Sequence, residues 1–243
     1  MARGSETSDD SREPEGGSLY VVATPIGNRD DITLRALRIL GAVSIVAAED
    51  TRHTGRLLRH HGISARLVSY YAQNRFRRVG ELMDALGRGE SVALVTDAGT
   101  PGVSDPGAVL ISRAIGEGYE VVPVPGACAA VAALSASGLP TDSFLYLGFL
   151  SSKKGRRRKQ IKLLAAEERT TVIYESPHRV HAMLADMLEL LGPGRRVCVA
   201  REMTKRFEEM SRGDLGDIVE RVLSKEPKGE YVIVLGPAAP EEN

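Results

Sequence analysis

Residues 94–107, LVTDAGTPGVSDPG, constrain the fold of this 243-residue chain more than any other stretch. The apolar run 91–95 reads as a strand buried on both faces. It meets Asp97, three glycines and two prolines before any helical periodicity resumes. Gly99, Gly102 and Gly107 permit backbone conformations that side chains forbid, so main-chain groups there can lie directly against a ligand. Asp105-Pro106 has the form of an N-cap followed by the first helical position. It predicts a helix with Val109, Leu110, Ala114 and Ile115 on its apolar face. A tight structural turn is the simpler reading, but the stretch is longer than the usual connection of about 2–6 residues between a strand and a helix. A ligand loop at the carboxyl end of a strand, where open α/β sheets bind small molecules, accounts for it better.

The chain is long enough for one large or two modest domains. Hydrophobic residues make up 42% and charged residues 26%, the balance of a globular protein. The formal net charge is zero, so any nucleic-acid binding has to come from local basic patches. Cys128 and Cys198 both sit in apolar runs, which implies a reducing compartment without a disulfide framework. No apolar run approaches a membrane span and the N-terminus lacks the form of a signal peptide, so the expected location is the cytoplasm.

Residues 1–18 are polar, charged and without apolar periodicity, and read as a disordered tail. Residues 19–23 form a first strand, followed by Thr24-Pro25-Ile26-Gly27-Asn28, a cap at Asp30/Asp31 and a helix from Ile32 to Gly41. Neither G-x-G-x-x-G nor G-x-x-x-x-G-K-[ST] occurs, so both common phosphate fingerprints are missing. A second strand, 43–47, ends in Ala48-Glu49-Asp50-Thr51-Arg52-His53. Two acids beside an arginine and a histidine at a strand exit make a plausible site, while Asp50 or Thr51 serves equally well as a helix cap. A third strand, 66–69, precedes Tyr70-Tyr71-Ala72-Gln73-Asn74-Arg75-Phe76-Arg77-Arg78. That mixture of aromatic and basic residues suits stacking on bases and pairing with phosphates, although a solvated helix start has the same composition. The strand 120–124 and a small-residue helix after Pro125-Gly126 complete five strand–helix units. A domain boundary is expected at Gly138-Leu139-Pro140, giving domains 19–138 and 139–238, the first with a largely parallel sheet.

The second half alternates less regularly. Strands are expected at 144–147, 171–175, 197–200 and 231–235, with a short antiparallel strand near 207–210, a helix over 214–223 and a loose tail after Gly236. Residues 153–159 carry six cationic side chains, enough to neutralise several phosphates. In a chain of zero net charge such a concentration favours contact with RNA over a merely solvated surface.

Taken together, these loops resemble the tetrapyrrole methylase family of S-adenosylmethionine-dependent methyltransferases. The stretches that carry the likeness are LYVVATPIGNRDDITL (19–34), AEDTRHT (48–54), DAGTPGVSDPG (97–107), PVPG (123–126), YESPHR (174–179), REMTK (201–205) and KGE (228–230). The set is specific, whereas PVPG or KGE alone carries no weight. Within the family the likeness is to the branch that methylates the ribose 2′-hydroxyl of a cytidine in small-subunit (16S) ribosomal RNA. The resemblance implies two αβα domains with a ligand trench between them, S-adenosylmethionine as methyl donor, and a homodimer. It places donor contacts at Pro25, Ala98, Gly99, Thr100, Val103, Cys128, Ala129, Glu175 and Met203, and the carboxylate of Asp97 beside them is expected to favour the positively charged donor. Tetrapyrrole-acting members have a G-D-P triplet where this chain has Gly99-Thr100-Pro101, and a glycine-rich first loop where it has Thr24-Pro25-Ile26-Gly27. Both departures point away from a tetrapyrrole substrate.

Transfer to a ribose hydroxyl needs nucleophile, carbon and leaving sulfur near a line, and a base or polarising cation helps a weak nucleophile. Loop placement and residue type nominate Glu49, Asp105, His178 and Lys205. Of these, Glu49 or His178 is the expected proton acceptor and Lys205 a catalytic cation. Arg52, Arg75, Arg156, Arg157 and Arg179 are expected on the RNA. Pairing of Glu49 with Arg52 and capping of a helix by His178 are the structural alternatives. His60-His61 and His178/His181 lack the cysteine or carboxylate cluster that would complete a metal site, so none is expected. Two rival functions remain open at this level: a small-molecule, tetrapyrrole-type methylase, and a non-catalytic RNA-binding module.

Overall fold

The structure is a computed structural model in which residues 14–238 are described. The chain forms two compact units. The first comprises residues up to Pro25 and Arg29–Ala127, and the second comprises Ile26–Asn28 and the chain from Cys128 onward.

The first unit contains five strands: β1 (Leu19–Val22), β2 (Ile45–Ala48), β3 (Leu67–Ser69), β4 (Val92–Val95) and β5 (Val121–Val124). They form one sheet in the order β3-β2-β4-β1-β5, and every pairing is parallel. Helices α1 (Leu34–Ala42), α2 (Thr51–His60), α3 (Arg75–Gly87) and α4 (Gly107–Gly116) cover it. Alternate strand residues face opposite ways, and both faces are apolar because both are covered. Tyr20, Val22, Val46, Ala48, Ala93 and Val95 pack with Ile39 and Leu40 of α1 and Leu57 and Leu58 of α2. Leu19, Ile45, Ala47, Val92 and Leu94 pack with Leu82 and Leu86 of α3 and Leu110 and Ala114 of α4.

The second unit has strands β6 (Phe144–Phe149), β7 (Thr170–Glu175), β8 (Arg196–Arg201), β9 (Glu209–Asp214) and β10 (Tyr231–Leu235), ordered β6-β7-β10-β8-β9. Only β6 and β7 are parallel, and the other pairs are antiparallel. One face of β10, through Tyr231, Ile233 and Leu235, packs on α6 (Lys154–Leu163), α7 (Pro177–Leu191) and α8 (Leu215–Leu223). Val232 and Val234 face α5 (Ala129–Ser135) with Val172, Cys198 and Ala200. Each unit is therefore an αβα layer structure, as expected.

Several expectations are corrected. The division falls between Ala127 and Cys128 and not at residue 138, because α5 buries Ala130, Ala133 and Leu134 on the second sheet. Of the supposed tail, residues 1–13 lie outside the described residues, but 14–18 are tied down: Ser18 is buried and accepts from the Val92 amide, and the Glu15 amide donates to the Tyr20 hydroxyl. Gly236 and Ala238 also hold backbone bonds, to Arg196 and Glu167. Thr33, not Asp30 or Asp31, caps α1 through the Ala36 amide, while the two aspartates lie in a 3-10 turn at Arg29–Asp31. On α4, Ile115 is exposed and the inward residues are Leu110 and Ala114.

The basic run forms α6, and its charges do different things. Arg157 is 5% exposed, with Nε and Nη2 donating to Asp186 Oδ2 at 2.9 and 2.6 Å. Arg158 donates to Asp186 Oδ1 at 2.8 Å and pairs with Glu189. Arg157 is thus withdrawn from the expected RNA contacts: a guanidinium buried there needs a carboxylate partner. Burial pushes the Asp186 carboxyl up, but hydrogen bonds from Arg158 and Arg157 outweigh it and hold it below the usual range. Replacing Asp186 by alanine strands a buried guanidinium, with an expected cost of about 3–5 kcal/mol read as a lower urea midpoint. Arg157→Met together with Asp186→Leu should recover most of that loss, and an unchanged midpoint for Asp186→Ala would refute this account.

Candidate functional site

All strands of the first unit are parallel, so their exits gather on one edge. Neighbouring strands β4 and β1 lead to α4 and α1, which cover opposite faces, the kind of switch in helix placement at which open α/β sheets bind ligands. There Thr24 and Gly99 form an isolated antiparallel bridge: the Thr24 amide donates to the Gly99 carbonyl at 2.9 Å and the Gly99 amide to the Thr24 carbonyl at 3.0 Å. Gly99 has φ 85°, a value that favours glycine, and Thr24 Oγ1 donates to the Thr96 carbonyl.

Two carboxylates tie this edge across adjacent strands. Glu49, at the exit of β2, accepts from Thr96 Oγ1 at 2.8 Å through Oε2. In return Asp97 Oδ1 accepts from the Asp50 amide at 2.9 Å. Asp50 caps α2 by accepting from the amides of Arg52 and His53, and pairs with the Arg52 guanidinium. The Arg52 side chain, then the Arg52 amide, lower its pKa to about 2. Glu49 therefore binds the central loop, where pairing with Arg52 had been the structural alternative. Asp105 is likewise internal: Oδ2 accepts from the Gly102 amide and Oδ1 from the Gly107 amide, so it folds the loop back on itself one residue before Pro106, the cap position of α4. Pro25, Ala98, Thr100 and Val103 line the same edge, and Thr100 Oγ1 donates to the Ala127 carbonyl.

In the second unit, Glu175 ends β7 and is 2% exposed. Its Oε1 accepts from the Ser176 amide and from Arg179 Nε, while Oε2 is buried without a partner among the described residues. Arg179 also donates to the Leu150 carbonyl, so this arginine, expected on phosphate, is engaged inside the fold. Cys128 occupies the cap position of α5 without a capping bond, and Ala129 opens the helix. His178 is exposed in the first turn of α7, where Ser176 holds the cap position, so the capping role considered for His178 is not what the structure shows.

The turn 201–205 is built around Lys205. Its Nζ contacts Glu202 Oε1 at 2.8 Å and Glu230 Oε2 at 2.9 Å. Burial opposes the charge, but the bonds to Glu202 and Glu230 prevail and raise the lysine pKa, so Lys205 is a fixed cation with no tendency to accept a proton. Glu202 and Thr204 have φ of 52° and 64°, and the Asn28 amide donates to Thr204 Oγ1. Gly229 lies against Glu202 so closely that a Cβ would overlap its carboxylate. The sequence reading assigns no role to Thr24, Thr96, Glu202 or Gly229. A threonine within two residues of the end of a buried strand was the available signal for the first two; for the others the partner lies too far along the chain. Arg75 opens α3 just after the exit of β3, and Arg156, on α6, is exposed. Among the described residues no group of three or more His, Cys, Asp or Glu side chains is placed to hold a metal ion.

Residues 18–219 match the family of Tetrapyrrole (Corrin/Porphyrin) Methylases. The chain belongs to this family. This methylase is 48% identical over 226 residues to "Ribosomal RNA small subunit methyltransferase I" of Synechocystis sp., covering 93% of the chain and 81% of that protein. It is 47% identical over 236 residues to the protein of the same name from Escherichia coli O157:H7, covering 96% and 82%. Among solved structures it is similar to the methyltransferase CobJ, with a TM-score of 0.68 and 20% identity over 93% of this chain and 97% of that one. It is also similar to uroporphyrin-III C-methyl transferase from Thermus thermophilus complexed with S-adenyl homocysteine, with a TM-score of 0.64 and 20% identity over 90% and 97%. These structural likenesses confirm the tetrapyrrole methylase fold.

Two outcomes test the geometry of this methylase. Gly229→Ala, which forces a side chain onto Glu202 at φ 79°, is expected to destabilise the protein by about 1–3 kcal/mol in denaturant unfolding; a neutral result would show that the turn yields. The Asp50 carboxyl, followed by NMR, should titrate at about 2. Because that value lies below the ordinary 3.8, the stabilisation its charge provides is complete above pH 4 and disappears as pH falls through 2. A midpoint near 4 would contradict the cap.

Proposed function

We propose that this chain is an S-adenosylmethionine-dependent methyltransferase acting on small-subunit (16S) ribosomal RNA, at the ribose 2′-hydroxyl of a cytidine. The observation that carries the reading is identity near one half, over more than nine-tenths of the chain, to proteins named for methylating that RNA. The working form is taken to be a cytoplasmic homodimer acting on the RNA alone or on the assembled subunit. Among the described residues no helix is long and apolar enough to cross a membrane.

Donor contacts are proposed at Pro25, Asp97, Ala98, Gly99, Thr100 and Val103 of the first unit, and at Cys128, Ala129, Glu175 and Met203 of the second. The residues fit such a ligand in two respects. The bridge at Thr24 and Gly99 puts bare main chain at the strand exits, and the buried, unpartnered Oε2 of Glu175 is an acceptor available to a hydroxyl or amine. When bound, the cofactor supplies a methyl group on a positively charged sulfur. The protein's task is alignment, which is worth about 7–11 kcal/mol where the geometry is held. Asp97 and Glu49, fixed by each other's loops, present negative charge at the strand exits and so favour a cationic donor over its neutral product. Glu49 or His178 is proposed to take the hydroxyl proton. Lys205 is proposed to hold the turn that carries Met203, since its ammonium already has two carboxylate partners. Arg52, Lys153 at the cap of α6 and the exposed α6 cations Lys154, Arg156 and Lys159 are proposed for the phosphates.

The test is incubation with labelled donor and undermethylated small subunits, followed by mass spectrometry of the nucleosides. The expected product is a 2′-O-methylcytidine. Glu49→Gln and His178→Ala are compared at saturating donor, and loss of the base should lower kcat by about 10²–10⁴-fold. Methyl transfer to a tetrapyrrole but not to RNA, or donor binding without transfer to any RNA, would overturn the reading.

A further inference from the structure

The first turn of α3 carries an arrangement that neither the strand-exit networks nor the proposed donor contacts use. Phe76 is 75% exposed, and the Arg75 guanidinium lies over its ring with the carbon 4.9 Å from the centroid. Tyr71, also exposed, precedes it in a turn locked by Asn74, whose Oδ1 accepts from the Tyr71 amide and whose Nδ2 donates to Ser69. An exposed aromatic ring on a helix surface contributes nothing to the core, yet here it is held in a defined place. Arg77 and Arg78 share one carboxylate, Glu81, and Arg75 lies over Phe76, so the patch has surplus positive charge. Cations in a first turn also oppose the helix dipole, and no acid offsets them there. Local stability thus favours neither the ring nor the arginines, whereas an anionic ligand with flat faces matches both.

Position in the sheet supports the same reading. α3 follows β3, whose exit lies on the edge that carries the central loop of β4, with β2 between them. Two strand spacings of about 4.8 Å separate the exits, a span of about three stacked nucleotides at ~3.4 Å each.

We propose that Phe76 is a stacking platform for a base of the substrate RNA near the methylated nucleotide, with Arg75 and Arg77 on the adjoining phosphates. The proposal rests on the function proposed above and adds a residue that recognises the substrate. It is tested with the full-length chain, undermethylated small subunits and labelled donor. Phe76→Ala should raise KM for subunits by about 5- to 150-fold, the range for losing one base–aromatic stack, while kcat at saturating subunits and donor affinity stay at the wild-type level. Phe76→Tyr, which keeps the ring, should restore KM. An unchanged KM in Phe76→Ala, or an equal loss in Phe76→Tyr, would overturn the proposal. So would a shift of Phe76→Ala to another oligomeric state in sedimentation, which would mark the patch as a contact between protein chains. If the wild-type chain methylates no ribosomal RNA, both readings fall together, whereas an active wild type with an indifferent Phe76 removes only this one.

Discussion

A short piece of main chain, the bridge between Thr24 and Gly99, governs the layout of the first unit's working edge. β4 and β1 are neighbours in the sheet, but their helices lie on opposite faces, so the two loops would separate at once if nothing joined them. Two backbone hydrogen bonds keep them together, and they form only because residue 99 adopts a left-handed conformation at little cost. Thr24 adds a side-chain bond to Thr96, and Glu49 reaches the same threonine from β2. Three strand exits are thereby coupled, and a ligand at this edge meets a surface whose ordering is complete before it binds.

Charged side chains sustain that order more than they advertise themselves for chemistry. Glu49, Asp105, Arg179 and Lys205 are all plausible in sequence as acids, bases or phosphate grips. In the fold each is bound to a loop amide, a hydroxyl or an opposite charge. The physical reason is general to α/β proteins: a loop leaving a strand has backbone groups without a ladder partner, and a short acidic side chain satisfies several at once. A residue held in this manner still serves a reaction, since a side chain locked by its neighbours keeps its geometry when the substrate arrives. What changes is the role it suits, and Lys205, with its pKa raised between two glutamates, suits positioning rather than proton transfer.

Most strands were legible because β2, β4 and β10 are continuous apolar runs of the kind produced by burial on both faces. The special backbone of residues 94–107 also followed from local chemistry, in glycines whose positive φ is now visible at 99 and 102. Long-range partnership was not legible. Glu49 meets Thr96 across 47 residues and Arg157 meets Asp186 across 29, with no pattern linking the members of either pair. The boundary was missed for a related reason. Alternation of strand and helix predicts that α5 exists, but not which sheet it covers, and its small residues Ala130 and Ala133 fit the second sheet beside Val172 and Val234.

Helix α6 shows how a patch of one charge survives inside a stable fold. Like charges three and four residues apart on a helix repel, and this one has no acid in its first turn to offset them. The fold divides the charges between two sides. Arg157 and Arg158 turn toward α7, where Asp186 and Glu189 neutralise them, and Ile161 lies buried a turn further on. Lys153, Lys154, Arg156 and Lys159 remain exposed. Arg157, expected on RNA from the sequence, thus joins Arg158 in anchoring the helix that displays the other cations, Arg156 among them. Repulsion among the exposed four is tolerable because tertiary contacts, not helix propensity, hold α6 in place.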